Sequence, residues 1–151
     1  MTHSQVRAAI VADRVSWVRR MVEGLQSLPA DSMESFLSDP RTVAAAESYL
    51  RRGLEALLDL GRHLLAKGFG RAVVEYKDIP LQLREIGALG VRDAGLLRDM
   101  AGYRNRLVHF YSEVTAQELF HIRSSRLTDI ETVLSALLHW LDAHPEFMDR
   151  P

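Results

Sequence analysis

The chain has 151 residues, 47% of them hydrophobic, with a formal net charge of -1 and no cysteine. That size suits one core-forming domain over 1–151; the charge excludes a generally basic nucleic-acid binder, and the missing cysteines exclude disulfides, thiolate chemistry and cysteine-ligated metals. The start of the chain has no basic-then-apolar signal pattern, and charges interrupt every long apolar run, so a soluble cytoplasmic protein with no membrane span is expected.

Residues 4–26 read as a first helix. Val11, Val15, Val18, Val22 and Leu25 recur at helical spacing, and Ile10, Trp17, Met21 and Leu28 widen the apolar face. A face that wide suits contact on two sides, a bundle core and a partner. Leu28-Pro29-Ala30 ends the helix. Asp31-Ser32-Met33-Glu34 then has a capping-box pattern, which predicts a short helical turn at Phe36 and Leu37.

Asp39 as N-cap and Pro40 at the first helical position start a long helix over 39–67. Leu50, Leu54, Leu57, Leu58, Gly61, Leu64 and Leu65 make its core stripe. Its polar face carries Arg52, Glu55, Asp59 and Arg62 or His63. Those charges suit solvated i, i+4 pairs, which contribute little each. Alternatively, Asp59 or Glu55 turns toward a cleft and pairs with Arg104, since acids seldom sit buried alone.

Lys67-Gly68-Phe69-Gly70 breaks that helix. A loop through Tyr76-Lys77-Asp78 leads to a short helix over 79–89, ended by Gly90. Another helix follows over 93–110. Thr115-Ala116-Gln117-Glu118 is a capping box for a last helix over 115–143, striped by Leu127, Ile130, Val133, Leu134, Leu137, Leu138 and Leu141. Pro145 stops it. There are no period-2 runs of β-branched residues and no hairpin signals. The expected fold is all-α, a four-to-five-helix bundle.

The helix over 93–110 carries the densest chemistry. At about 100° per residue, Leu97, Met100, Ala101, Arg104, Leu107, Val108 and Tyr111 form one stripe. Arg104 lies in its middle, where a guanidinium must be paired or face a cavity. Asn105 and His109, four apart, share a neighbouring face. In a straight helix Arg104 and His109 lie about 140° apart, so they flank a cleft unless the helix bends or ends near His109. Leu96, Tyr103 and Phe110 form a second apolar strip, a candidate contact between copies of the chain.

An arginine in a helical stripe also fits simple snorkelling or pairing with an acid. The sharper reading is chemical. Imidazole exchanges protons near neutral pH, and a guanidinium fork stabilises charge growing on phosphorus.

Six histidines prompt a search for metal ligands. None stands four residues from another with a carboxylate in a known ligand pattern, and His139 and His144 are five apart, so no metal and no cofactor is expected. His121, Arg123 and Arg126 read as a solvated face that could extend a phosphate-binding surface. No glycine-rich phosphate loop follows a strand.

Arg104-Asn105-Arg106-Leu107-Val108-His109-Phe110-Tyr111 resembles the signature of HEPN-domain proteins, in particular the HepT-like branch: Arg, four residues, His, one residue, Tyr. Asn105 matches the polar residue that usually follows the family arginine. The likeness extends to Leu54–His63, to Glu75-Tyr76-Lys77-Asp78 and to Met100-Ala101-Gly102-Tyr103, and covers roughly residues 39–140. It implies an all-α bundle of HEPN type and a ribonuclease toxin that cuts RNA. It implies a partner too, a minimal nucleotidyltransferase antitoxin that neutralises the toxin by binding and by transferring AMP to the motif tyrosine. Carried over, Arg104 and His109 are catalytic, Asn105 is supporting and Tyr111 is the modification site. Asp59 is a further supporting candidate, from the pairing argument above. A symmetric homodimer would bring two Arg/His pairs to one cleft. Two other readings remain: an idle HEPN module that binds and positions a nucleotidyltransferase, and a purely structural bundle.

Overall fold

In the computed structural model, which describes residues 5–109 and 114–149, the longest element is α3, Pro40–Phe69. Asp39 starts it. Its carboxylate accepts the Arg41 N–H at 2.9 Å, and Pro40 fills the first helical position, where no N–H is needed. α3 touches every other helix described: α1 (Ala8–Ser27), α2 (Met33–Leu37), α4 (Ile79–Glu85), α5 (Val91–Val108), α6 (Ala116–Ser125) and α7 (Leu127–Ala143).

Its leucine stripe explains why. Leu50, Leu54, Leu57, Leu58, Leu64 and Leu65 are all buried, and so is Leu60. They pack with Val18 and Leu25 of α1, Leu97 of α5, and Val133, Leu134 and Leu137 of α7 in one cluster. A helix apolar on so much of its circumference must be the axis of the bundle, with the others around it. The result is an all-α bundle with four long helices and three short ones among the described residues. None of the described helices is long and apolar enough to cross a membrane.

The first helix begins at Ala8 rather than at residue 4, α3 runs on to Phe69 before Gly70 ends it, and three further differences from the sequence reading matter more. The helix expected over 79–89 stops at Glu85, and Gly87, at φ 82°, supplies the left-handed turn. Gly90 instead opens α5 as its N-cap. The last helix, expected over 115–143, is two helices joined at Arg126. There the Ser125 hydroxyl donates to the His121 carbonyl at 2.6 Å, competing with the backbone ladder. Arg126 leaves helical geometry at φ -115°, ψ -3°.

The third difference bears on function. α5, expected to reach residue 110, ends at Val108, and His109 is extended at φ -104°, ψ 125°. Thr115 caps α6 as expected, its hydroxyl accepting the Glu118 N–H at 3.1 Å. The Glu118 side chain does not fold back to complete a capping box. It reaches Arg106 on α5. Phe110 and Tyr111 lie outside the described residues.

Candidate active site

Arg104, one helical turn before the end of α5, points to α3 and to the 3₁₀ turn Tyr76–Asp78. Three groups surround its guanidinium. Its central carbon lies over the Tyr76 ring, 4.5 Å from the centroid. Nε stands 3.6 Å from Glu55 Oε1, and Nη1 donates to Asn105 Oδ1 at 3.2 Å. The expectation that Asp59 or Glu55 pairs with Arg104 therefore resolves in favour of Glu55. That carboxylate is shared, for Arg51 Nη1 donates to the same oxygen at 2.9 Å. At 3.6 Å the Arg104 contact is an ion pair rather than a hydrogen bond, and Arg104 Nε is buried without a hydrogen-bond partner among the described residues.

Asp59 sits one layer back. Its Oδ1 accepts the Tyr76 hydroxyl at 2.8 Å and lies 3.4 Å from Arg62 Nη1. Its other oxygen is 3.9 Å from Arg14. It reaches Arg104 only through Tyr76. Arg62 is itself over the Tyr76 ring, 4.5 Å from the centroid, and donates to the Val74 carbonyl at 2.7 Å. Burial, and next the hydrogen bond to Asp59, push the Tyr76 hydroxyl up to about 12. The ring is thus a neutral platform at any physiological pH.

Arg104, Asn105 and His109 line one open cleft of about 520 Å³ together with Arg62, Val74, Glu75, Tyr76 and Lys77. The end of α5 at Val108 removes the difficulty of the helical projection. His109 no longer follows the helix, so it shares a cleft with Arg104 despite the angle a straight helix would impose. Three of the side chains at this cleft carry full positive charge and one carries negative. Each of these cations also has a carboxylate partner, Asp59 for Arg62, Glu75 for Lys77 and Glu55 for Arg104, so the surplus of positive charge is local and modest.

Sequence reasoning missed Tyr76 as a site residue. It lies in a loop with no periodicity, and the local signal was only its place beside the third-helix entry. Other candidates lie elsewhere. Arg123 donates to the Leu25 and Gln26 carbonyls, and Arg126 pairs with Asp99 and Asp129. Both are used in packing α6 and α7 to the bundle rather than in extending a phosphate surface. His144 Nδ1 is 2.8 Å from the Trp140 carbonyl and its ring stacks on that indole. Among the described residues no three His, Asp or Glu side chains are grouped as metal ligands would be.

Known proteins share this fold. A curated relative, the tRNA nuclease HepT of Aphanizomenon flos-aquae (strain 2012/KM1/D3), is 23% identical over 118 residues, 78% of this chain and 80% of its own length. Among solved structures, the tri-AMPylated HEPN toxin of Shewanella oneidensis, in complex with its MNT antitoxin, superposes with a TM-score of 0.78. It is 21% identical, over 86% of this chain and 97% of that one. YutE of Bacillus subtilis, a cytosolic protein of unknown function, superposes at 0.77 with 16% identity, over 93% and 94%. At such identities the superpositions establish a shared fold. The sequence profile described as ribonuclease HepT-like matches residues 18–137, most of the length and all of the cleft. The chain belongs to the ribonuclease HepT-like family.

Proposed function

We propose that this chain is a metal-independent endoribonuclease, the toxin of a toxin–antitoxin pair, with Arg104 and His109 as its catalytic residues. The observation that carries the reading is their meeting: a guanidinium and an imidazole, far apart in helical projection, line one cationic cleft. Family membership supports the reaction class, and the tRNA nuclease relative supports RNA as the substrate.

The chemistry follows from the groups. A ribose 2′-OH attacks the adjacent phosphorus, the 5′-oxygen of the next nucleotide leaves, and a 2′,3′-cyclic phosphate remains. The proton lost by the 2′-OH needs an acceptor, and the 5′-oxygen needs a donor. His109 supplies one of these transfers. Arg104 stabilises the charge that develops on the phosphoryl oxygens. Asn105, accepting from Arg104, holds the fork. A symmetric homodimer would supply the second imidazole at a shared cleft. The proposed partner is a minimal nucleotidyltransferase antitoxin, as in the complex of the Shewanella toxin.

The decisive test is cleavage of RNA by the purified chain. Arg104→Ala and His109→Ala should each lower the rate by a factor on the order of 100 or more, with cyclic-phosphate ends on the wild-type products and no effect of EDTA. Sedimentation should give about twice the 17.1 kDa chain mass. Cleavage equal in wild type and both variants would overturn the assignment, and activity lost to EDTA and restored by a divalent ion would overturn metal independence.

A further inference from the structure

We propose that Tyr76 is a positioning residue for Arg104: its ring, anchored on Asp59, fixes the plane and aim of the guanidinium toward the phosphate. The proposal rests on the ribonuclease reading above and adds to it a residue from a different part of the chain.

The geometry is specific. Arg104 is held at its Nε edge by Glu55, at Nη1 by Asn105, and across its plane by Tyr76. Among the described residues Nη2 makes no hydrogen bond or ion pair. An arginine with four rotatable bonds would otherwise sample many orientations, and the two edge contacts alone are weak. The Glu55 contact is long, and Glu55 already serves Arg51. The Asn105 contact is to the next residue, which moves with the same helix. Tyr76 ties Arg104 to the 3₁₀ turn across the whole plane of the guanidinium, whereas Glu55 ties it to α3 only through that long, shared contact.

Tyr76 can do this because it is itself fixed. Its hydroxyl donates to Asp59 on α3 at 2.8 Å. Arg62, one turn after Asp59 on α3, lies over the same ring and is tied to the Val74 carbonyl just before the 3₁₀ turn. Ring, carboxylate and second guanidinium form a rigid block between α3 and the loop. A cation within about 6 Å of an aromatic centroid is attracted by the ring's face. Two cations, one from α3 and one from α5, lie over the same ring. Misaiming a transition-state donor by about 1 Å can cost a factor of about 100, so the block bears on rate more than on affinity.

The test compares Tyr76→Phe, Tyr76→Leu and Tyr76→Met in the full chain. Tyr76→Phe keeps the ring but loses its anchor on Asp59, so its kcat should fall between those of the wild type and Tyr76→Leu. Tyr76→Leu should lower kcat by a factor of about 10 to 100 with KM changed little, since the loss falls on the transition state. In an Arg104→Lys background the same Leu substitution should cost almost nothing more, because the group it positions is gone. Tyr76→Met repeats the comparison with a different apolar shape should the Leu variant fail to fold. Independently of cleavage, the Arg104 Hε resonance should be shifted upfield by the ring current in the wild type and in Tyr76→Phe and lose that shift in Tyr76→Leu.

Unchanged kcat in folded Leu and Met variants would overturn the proposal. So would a loss fully additive with Arg104→Lys, or an Arg104 Hε without the ring-current shift. If the wild type cuts no RNA while the shift is present, the ribonuclease reading fails and the stacked placement of Arg104 stands.

Discussion

Arg106 Nη1 lies 2.7 Å from Glu118 Oε2, so the last turn of α5 is tied to the first turn of α6. The chain between them includes His109. A partly exposed pair of this kind contributes about 0.2–1 kcal/mol to stability. Its larger effect should be on where the segment leaves α5. Glu118→Ala is expected to lower Tm by only a few degrees yet reduce RNA cleavage several-fold. Both are measured on one preparation. Equal cleavage by the variant and the wild type would show that the tie does not set the position of His109.

His63, next to the cleft-lining Arg62 on α3, makes a pH-sensitive contact. The Arg7 N–H donates to His63 Nε2 at 2.9 Å, which requires that nitrogen to be unprotonated. Beside it, Asp149 accepts the Ala8 N–H at 2.8 Å and caps α1 from the far end of the sequence. Burial lowers the His63 pKa below the ordinary histidine value, Lys67 and Arg7 lower it further, and Asp149 opposes them. The unfolded chain therefore binds a proton at a higher pH than the folded one. The stability due to His63 is fully present above about pH 6.5 and is lost as pH falls below that value toward the folded pKa. His63→Gln keeps an acceptor that does not titrate. The drop in Tm from about pH 7 to about pH 5 should be smaller in this variant than in the wild type. Parallel curves would mean that His63 contributes nothing to acid sensitivity.

The sequence makes α3 legible because one helix carries the start signal at Asp39-Pro40 and an unbroken leucine stripe. Glu55 could be anticipated by asking what pairs with a guanidinium in an apolar stripe. The break at Arg126 could not. The stripe continues through Leu127 and Ile130, and no proline or glycine marks the joint. It depends on hydroxyl competition at Ser125 and on Arg126 being drawn to Asp99 across the bundle. Tyr76 was invisible as a site residue for a related reason. Its partners Asp59, Arg62 and Arg104 come from two helices, and their meeting is a tertiary fact with no local periodicity. The end of α5 at Val108 belongs with these, since the apolar stripe by itself would carry the helix further.

Packing at one glycine should report on the cleft as well as the core. A Cβ on Gly61 would stand 2.9 Å from Leu83 Cδ1 and 3.0 Å from Ile79 Cγ2, so α3 and α4 approach closely there. Alanine raises helix propensity by about 1 kcal/mol, while overpacking costs about 1–3 kcal/mol. The net effect expected of Gly61→Ala is a modest loss of stability. Ile79 directly follows the turn that carries Tyr76. Pushing α4 outward should therefore displace the ring under Arg104 and lower cleavage more than the Tm change alone would suggest. Chemical denaturation and single-turnover cleavage separate the two effects. A destabilised variant with the wild-type rate would show that the turn is insulated from α4.

The last prediction concerns neutralisation. Tyr111 lies outside the described residues, and α5 ends before it, so the helical projection that set it two turns from Arg104 on the same helix does not apply. What supports its role is the Arg104, His109, Tyr111 spacing shared with the HepT-like signature and the AMP-modified state of the Shewanella toxin. We propose that the antitoxin transfers AMP from ATP to the Tyr111 oxygen, which attacks the α-phosphorus and releases pyrophosphate. The added phosphate brings negative charge and acceptor oxygens to a position two residues after His109 in the chain. Paired with Arg104, it would occupy the group needed for substrate and repel incoming RNA. Tyr111→Phe should keep much of the cleavage activity but resist inactivation by the cognate transferase with ATP and magnesium. Intact-mass measurement should show whole AMP increments on the wild type and none on the variant. Equal modification of the variant would place the acceptor elsewhere. Inhibition of the wild type without any mass change would leave occlusion by the bound antitoxin as the neutralising step.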